Sequence, residues 1–344
     1  MQKKLIALAV AGLVSAPAFA QSNVTIYGVV DMGVSYRSDN IVDSIGSRTG
    51  VDSGQQSGNR LGFKGTEDLG NGLKAGFVLE QGFFVDNGQS RSDGNFSRQS
   101  YVSLSGGFGT VALGRLYSPQ FNLLAAVDPF GTGTAGQVNN LYVNDTRLSN
   151  TIAYITPNFS GITVTAAYSA QADGIKQENA DNTGDLQAWA ISPVYSNGPL
   201  MVGLNYHQIQ ANDVTPDPKT KVWDIGGTYD FGMVKVAAMY GNRDTDGAQE
   251  SDFWMLGATV PVGAAGKVLL SYTSAETDVV GVSADRESEQ WAIGYTHDLS
   301  KRTNLYAAYA DIDNENGASA SVGDASNGGL GYQQGLTIGV RHKF

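Results

Sequence analysis

Leu336-Thr337-Ile338-Gly339-Val340-Arg341-His342-Lys343-Phe344 closes the chain. In an extended strand successive side chains alternate between faces, so Leu336, Ile338, Val340, His342 and Phe344 share one side. A face that is apolar or ring-bearing up to the final Phe suits the closing strand of an outer-membrane β-barrel, with lipid outside and water inside. If the rest of the chain agrees, compartment, fold and a transport role follow together.

The other end carries an address. Met1-Gln2-Lys3-Lys4 is positive, Leu5 to Val14 is apolar, and Ser15-Ala16-Pro17-Ala18-Phe19-Ala20 places small residues before a cleavage point. These are the parts of a secretory signal peptide, expected over residues 1–20, which leaves 21–344 as the exported domain. The apolar run is too short for a membrane anchor. No later stretch approaches the roughly twenty apolar residues of a membrane helix, so an exported soluble protein or a barrel remains.

Composition narrows the choice. The 344 residues include no Cys, which removes disulfides and thiol chemistry. Net charge is −11, and losing Lys3 and Lys4 with the leader takes it to −13, which disfavours nucleic acid as a partner. Forty-four glycines and 16 tyrosines beside nine prolines point to many short strands joined by turns.

Alternation recurs along the whole mature chain. From Asn23 to Tyr36, Val24, Ile26, Gly28, Val30, Met32, Val34 and Tyr36 share a face. Apolar faces closed by Tyr recur at Ile162–Tyr168, Leu200–Tyr206, Val234–Tyr240, Trp291–Tyr295 and Leu305–Tyr309, while their opposite faces carry Gly, Ala, Ser, Thr and Asn. Aromatic residues at strand ends fit interfacial girdles better than the interior of a soluble sandwich. Connections alternate in length. Tight ones, such as 68–72 and 196–199, contrast with long polar ones over 38–58, 170–184, 209–219 and 311–331. Short periplasmic turns and long external loops describe an all-β, antiparallel transmembrane barrel of about 16 strands.

The motifs are also familiar. Val24-Thr25-Ile26-Tyr27-Gly28-Val29-Val30-Asp31, Arg60-Leu61-Gly62-Phe63-Lys64-Gly65-Thr66-Glu67-Asp68-Leu69-Gly70, Ser103 to Thr110 with Leu113-Gly114-Arg115, and Gly339 to Phe344 resemble the general porins of Gram-negative β-proteobacteria. The resemblance spans essentially all of 21–344. It implies a homotrimer of sixteen-stranded barrels, each with a pore that passes small hydrophilic solutes and is narrowed by a third loop folded inside. It further implies contact with outer-membrane lipid and lipopolysaccharide, and a terminal Phe344 read by the barrel-assembly machinery.

Residues 118–145 are the candidate inward loop. Phe121-Asn122-Leu123-Leu124-Ala125-Ala126-Val127 is more apolar than a solvated loop requires, although an external loop or a trimer contact is the alternative. By parity Arg60, Arg147 and Glu80 point inward, and Arg98 does so less clearly. By resemblance Arg60, Arg98 and Arg147 match an arginine cluster on the wall, opposed by Glu80 and by Asp128 on the loop. Facing charges in a narrow pore select by charge and size, while solvated lumen residues are the plainer reading of each one alone. Asp31, Arg37, Lys64 and Lys74 are inward by parity and are expected in the vestibules. Arg115 is ambiguous, because it shares parity with Val111 and Leu113. The outer-loop acids Asp39, Asp43, Asp52, Asp181, Asp185, Asp244, Asp246, Asp311, Asp313 and Glu315 read as solvated, or as carboxylates for divalent cations that bridge lipopolysaccharide.

Other chemistries are thin. His207, His297 and His342 lack metal-ligand spacing, no Gly-rich loop opens a helix, and His207 with Asp213 is the nearest approach to a catalytic pair. No metal and no cofactor is expected. The expectation is a general diffusion channel with anion preference; a substrate-specific channel for a carboxylate or sugar, or a barrel enzyme or adhesin, are the rivals.

Overall fold

The structure is a computed structural model that describes residues 23–42, 44–91, 94–172, 186–211 and 218–344. The expected signal segment 1–20 lies outside the described residues, as do Asp43, Asp181, Asp185 and Asp213.

Among the described residues seventeen strands form one closed antiparallel sheet. They run as β1 (Asn23–Asn40), β2 (Arg48–Ser53), β3 (Arg60–Gly70), β4 (Leu73–Gly82), β5 (Ser100–Gly106) and β6 (Gly109–Tyr117). After the third loop come β7 (Arg147–Ile155), β8 (Ile162–Ser169), β9 (Leu186–Asn197), β10 (Leu200–Ala211), β11 (Lys219–Asp230) and β12 (Lys235–Thr245). The last are β13 (Gln249–Val262), β14 (Gly266–Val279), β15 (Arg286–Asp298), β16 (Thr303–Glu315) and β17 (Tyr332–Lys343). Strands β2 and β3 both pair along β1, the first opposite Met32–Arg37 and the second opposite Asn23–Val29. They are two halves of one stave, so the barrel has sixteen positions.

The chain ends zip the barrel shut. Val30 faces His342 and Tyr36 faces Leu336 across the β1–β17 seam. Beyond it Gly28 and Phe344 exchange both backbone hydrogen bonds, at 3.0 and 3.1 Å. A Cβ on Gly28 would lie 2.3 Å from the Phe344 ring, so glycine is what lets that ring lie on the seam. Ile26, Val34, Ile338 and Val340 are exposed on the outer face, as lipid contact demands.

Two expected loops turn out differently. The stretch 38–58 contains β2, which carries only Val51 on its apolar side and so shows little alternation. The six residues between β2 and β3 bulge into the lumen. Asp31, wholly buried, holds them by accepting the Ser57 N–H at 2.6 Å and the Tyr306 hydroxyl at 2.5 Å. The stretch 311–331 is likewise not simply external. After β16 it folds inward, where Val322 is buried against Ala135 and the inward Gly335, and Arg37 pairs with Asp324 at 2.9 Å.

Inside, the third loop opens with helix α1 (Pro119–Val127). Ser118 caps it by accepting the Phe121 N–H at 3.0 Å, and Pro119 sits in the first turn, where it lacks no needed donor. Leu123, Leu124 and Val127 pack with Met239, Phe253 and Met255 of the inner wall. The wall accepts this loop because it is carpeted with glycine. A Cβ on Gly203 would meet Leu123 at 2.6 Å, and one on Gly257 would meet Pro129 at 2.4 Å. Gly241 makes room in the same way for the ring of Tyr142. The small inner face seen in the sequence is therefore a docking surface for the loop.

Candidate functional site: the lumen constriction

A cavity of 690 Å³ lies between α1 and the opposite wall. Arg60, Arg98 and Arg147 line it from the wall, with Tyr117 between them. Arg60 reaches it by plain alternation on β3. Arg98 and Gln99 both hydrogen-bond the backbone of Glu80, an extra residue that turns Arg98 inward against its parity with Val102. Arg147 opens β7 just before a kink at Asn150, whose φ is +46°. Leu148, of the opposite parity to Arg147, is buried with Ala172 and Ala188.

The three guanidinium groups converge on one oxygen. Arg98 Nη2 donates to the Tyr117 hydroxyl at 2.8 Å, Arg147 Nη2 at 3.3 Å and Arg60 Nη1 at 3.4 Å. The Arg147 guanidinium also lies over the Tyr117 ring, 4.7 Å from its centroid, and Phe121 of α1 stacks on that ring at 4.7 Å. Arg91, which sequence reading missed, is a fourth arginine on the cavity; it follows β4 in an irregular stretch where alternation carries no information.

The acids do not take the places expected of them. Asp128 is turned into its own loop, where its carboxylate accepts the N–H groups of Phe130 and Thr132 at 2.9 Å and Val138 at 3.2 Å. It fastens the loop after α1 instead of facing the arginines, and burial pushes its carboxyl up to about 6 against the pull of those amides. Glu80 does face inward but is buried behind Arg98, 3.8 Å from Nε, and accepts the Tyr27 hydroxyl at 3.1 Å. The loop offers the cavity amides: Asn122, Gln137, Asn139 and Asn140. Among the described residues the cavity's one carboxylate is Asp324, already paired with Arg37.

The other expected lining residues divide. Lys64 and Lys74 are exposed, and Lys64 lies over the Tyr27 ring at 5.1 Å, on the inner face. Asp31 and Arg37 are not vestibule charges. Both are buried, one holding the segment between β2 and β3 and the other the segment between β16 and β17. Arg115 sits at a register shift between Gly114 and Leu116, which explains its unclear parity, and donates to the Ser97 carbonyl and the Ser149 hydroxyl. His207 meets Asp145 of the third loop at 3.0 Å, and Asp145 also takes Arg243 at 2.9 Å, so this histidine anchors the loop. Asp52 is held by Arg48 at 2.6 Å, and no group of three metal-ligating side chains occurs among the described residues.

Residues 7–317 match the family model described as Gram-negative porin. The chain belongs to that family. Outer membrane porin protein 32 of Delftia acidovorans is 36% identical, with all of both chains covered. A solved structure described as an anion-selective porin from Comamonas acidovorans superposes with a TM-score of 0.80 at 33% identity, covering 94% of this chain and 100% of that one. The trimer form of OmpT from Vibrio cholerae shares the fold at a TM-score of 0.71 and 16% identity, covering 94% and 99%. This porin is thus an outer-membrane channel. Its barrel conducts by diffusion, with neither bond chemistry nor an energy source.

Proposed function

We propose that this porin passes small hydrophilic anions in preference to cations, at a constriction whose positive wall is Arg60, Arg98 and Arg147. The observation that carries the reading is the convergence of three guanidinium groups opposite a loop face of amides. Arginine remains charged at every relevant pH, so the field persists. Because Asp128 and Glu80 do not stand across from the arginines, the field is one of a single sign, with little transverse component. The third loop sets the size limit, and Lys64 and Lys74 extend the positive path. The description of the Comamonas acidovorans structure as anion-selective agrees with this reading. Reversal potentials across a salt gradient test it. The wild type should favour anions and Arg147→Ala should weaken that preference. A cation-selective wild type, or an unchanged variant, overturns it.

The working unit on this reading is a homotrimer, and the outer face supports one. Tyr168, Trp189, Tyr206, Trp223, Tyr240, Trp254, Tyr272, Trp291 and Tyr309 alternate Tyr with Trp on consecutive strands β8 to β16, with four Trp–Tyr ring pairs 5.1–5.4 Å apart. All four tryptophans of the chain lie in this belt. Following paired residues the other way from Tyr168 gives Ile152, Leu113 and Val102, which are exposed and aliphatic. Aromatic residues mark a lipid–water interface, so the belted side suits lipid and lipopolysaccharide. The unbelted side suits neighbouring subunits. Phe344 at the seam is the feature offered to the assembly machinery.

A further inference from the structure

We infer that Tyr117 is the positioning residue of the arginine wall, and that ionisation of its phenol lowers the pore's preference for anions. The inference rests on the anion-preferring reading above and deepens it. Three like charges arriving from separate elements, β3, the stretch before β5, and β7, have no reason of their own to gather. Free in a water-filled lumen they would separate. Here their ends are held within two hydrogen-bond lengths of each other by a shared acceptor, the Tyr117 oxygen, at 2.8, 3.3 and 3.4 Å. Phe121 fixes the ring from the other side by stacking, and brings no charge.

The geometry asks more of that oxygen than a neutral phenol supplies. A phenol carries its own proton and accepts at two lone-pair positions, whereas three donors point at it. A phenolate serves all three, and charge-assisted hydrogen bonds from guanidinium groups are the stronger kind. Among the described residues the charged groups facing the hydroxyl are Arg60, Arg98 and Arg147, with Glu80 opposing them from behind Arg98. When the Tyr117 proton passes to lumen water, one negative charge appears among three positive ones. The electrostatic attraction for a passing anion then drops. In an aqueous pore one unit charge at about 6 Å changes occupancy by about threefold.

Reversal potentials in a potassium chloride gradient, recorded from about pH 6.5 to about pH 10 to span tyrosine ionisation, test this on the intact porin. The wild-type anion-to-cation permeability ratio should fall about tenfold over that window, about threefold from each ion, and Tyr117→Phe should lack the step. Every other group of the pore is common to the two proteins and cancels in the comparison. Superimposable profiles overturn the inference. If Tyr117→Phe does not assemble, Arg98→Gln, which removes the 2.8 Å donor, should move the step to higher pH; an unmoved step overturns it as well. A wild type without anion preference near neutral pH sinks the functional reading itself. A wild type that prefers anions but has no Tyr117-dependent step sinks this inference alone.

Discussion

Replacing Asp324 with alanine should release the segment between β16 and β17 from the lumen and raise single-channel conductance. The Arg37–Asp324 pair is 2.9 Å long, with side-chain exposures of 2% and 0%. Removing one partner of a buried ion pair costs roughly 3–5 kcal/mol, because the remaining charge is stranded. Asp324 also accepts the N–H groups of Ser326 and Asn327, so the variant loses two turn-forming bonds besides. Against this, burial of Val322 retains about 2 kcal/mol. The bonds from Gly323 N–H to Asn140 and from Ala325 N–H to the Gln55 carbonyl add about 1 kcal/mol each. The bonds from Arg37 to the Gly328 carbonyl and from Val322 N–H to the Tyr332 carbonyl also remain, so the docked form persists while the released form gains population. Ser321 and the run from Gly323 to Gly329 line the cavity between α1 and the opposite wall, and their departure opens it.

Planar-bilayer recordings should therefore show Asp324→Ala channels with a larger mean conductance and visible switching between levels. The double variant Arg37→Met with Asp324→Leu removes both charges at once. Replacing a buried pair by apolar residues of similar size is close to neutral, so conductance should return toward that of the wild type. A single variant with wild-type conductance and noise refutes the reasoning. So does a double variant more open than the single one.

Two shorter predictions concern the scaffold. Gly257→Val places methyl groups where a Cβ alone would lie 2.4 Å from Pro129, and overpacking of this kind costs about 1–3 kcal/mol; the folded barrel should convert to the unfolded form on gels at lower temperature, while Gly46→Val, with open space around its Cα, should not shift. Deleting Phe344 removes two backbone hydrogen bonds, at about 1 kcal/mol each, from the end of the closing seam. Yield of assembled porin in the outer membrane should drop while surviving pores keep wild-type conductance and selectivity, and altered selectivity would show that the seam reaches the constriction.

The barrel was legible because alternation is a local property that repeats. A strand such as 332–343 or 162–169 declares its lipid face on its own, and the tight turns and aromatic ends reinforce it. Parity puts Arg60 on the inner face, and β3 is regular around it. Parity states only which side of the wall a residue occupies, however. Asp31 and Arg37 are inward as expected, yet they touch no solvent because inserted segments cover them. Those segments were hidden for two reasons. The stretch between β16 and β17 is polar apart from a few residues such as Val322, so it reads as an external loop. The stretch between β2 and β3 is Gly, Gln, Ser and Asn, and its inward path depends on Asp31 and Tyr306, far away in sequence.

The residues hardest to assign stand beside broken alternation. An extra residue opposite Glu80 turns Arg98 inward, a left-handed Asn150 follows Arg147, and a register shift spans Gly114 to Leu116 next to Arg115 and Tyr117. A regular sixteen-stave barrel directs side chains radially at fixed heights, which cannot bring three arginines and a tyrosine to one oxygen. Bulges cost ladder hydrogen bonds and are found where a side chain must be re-aimed. Here three irregularities cluster around a single hydroxyl. The failures of the period-two pattern therefore carry information of their own: in a barrel wall, the point where alternation breaks on adjacent strands is the place to look for the constriction.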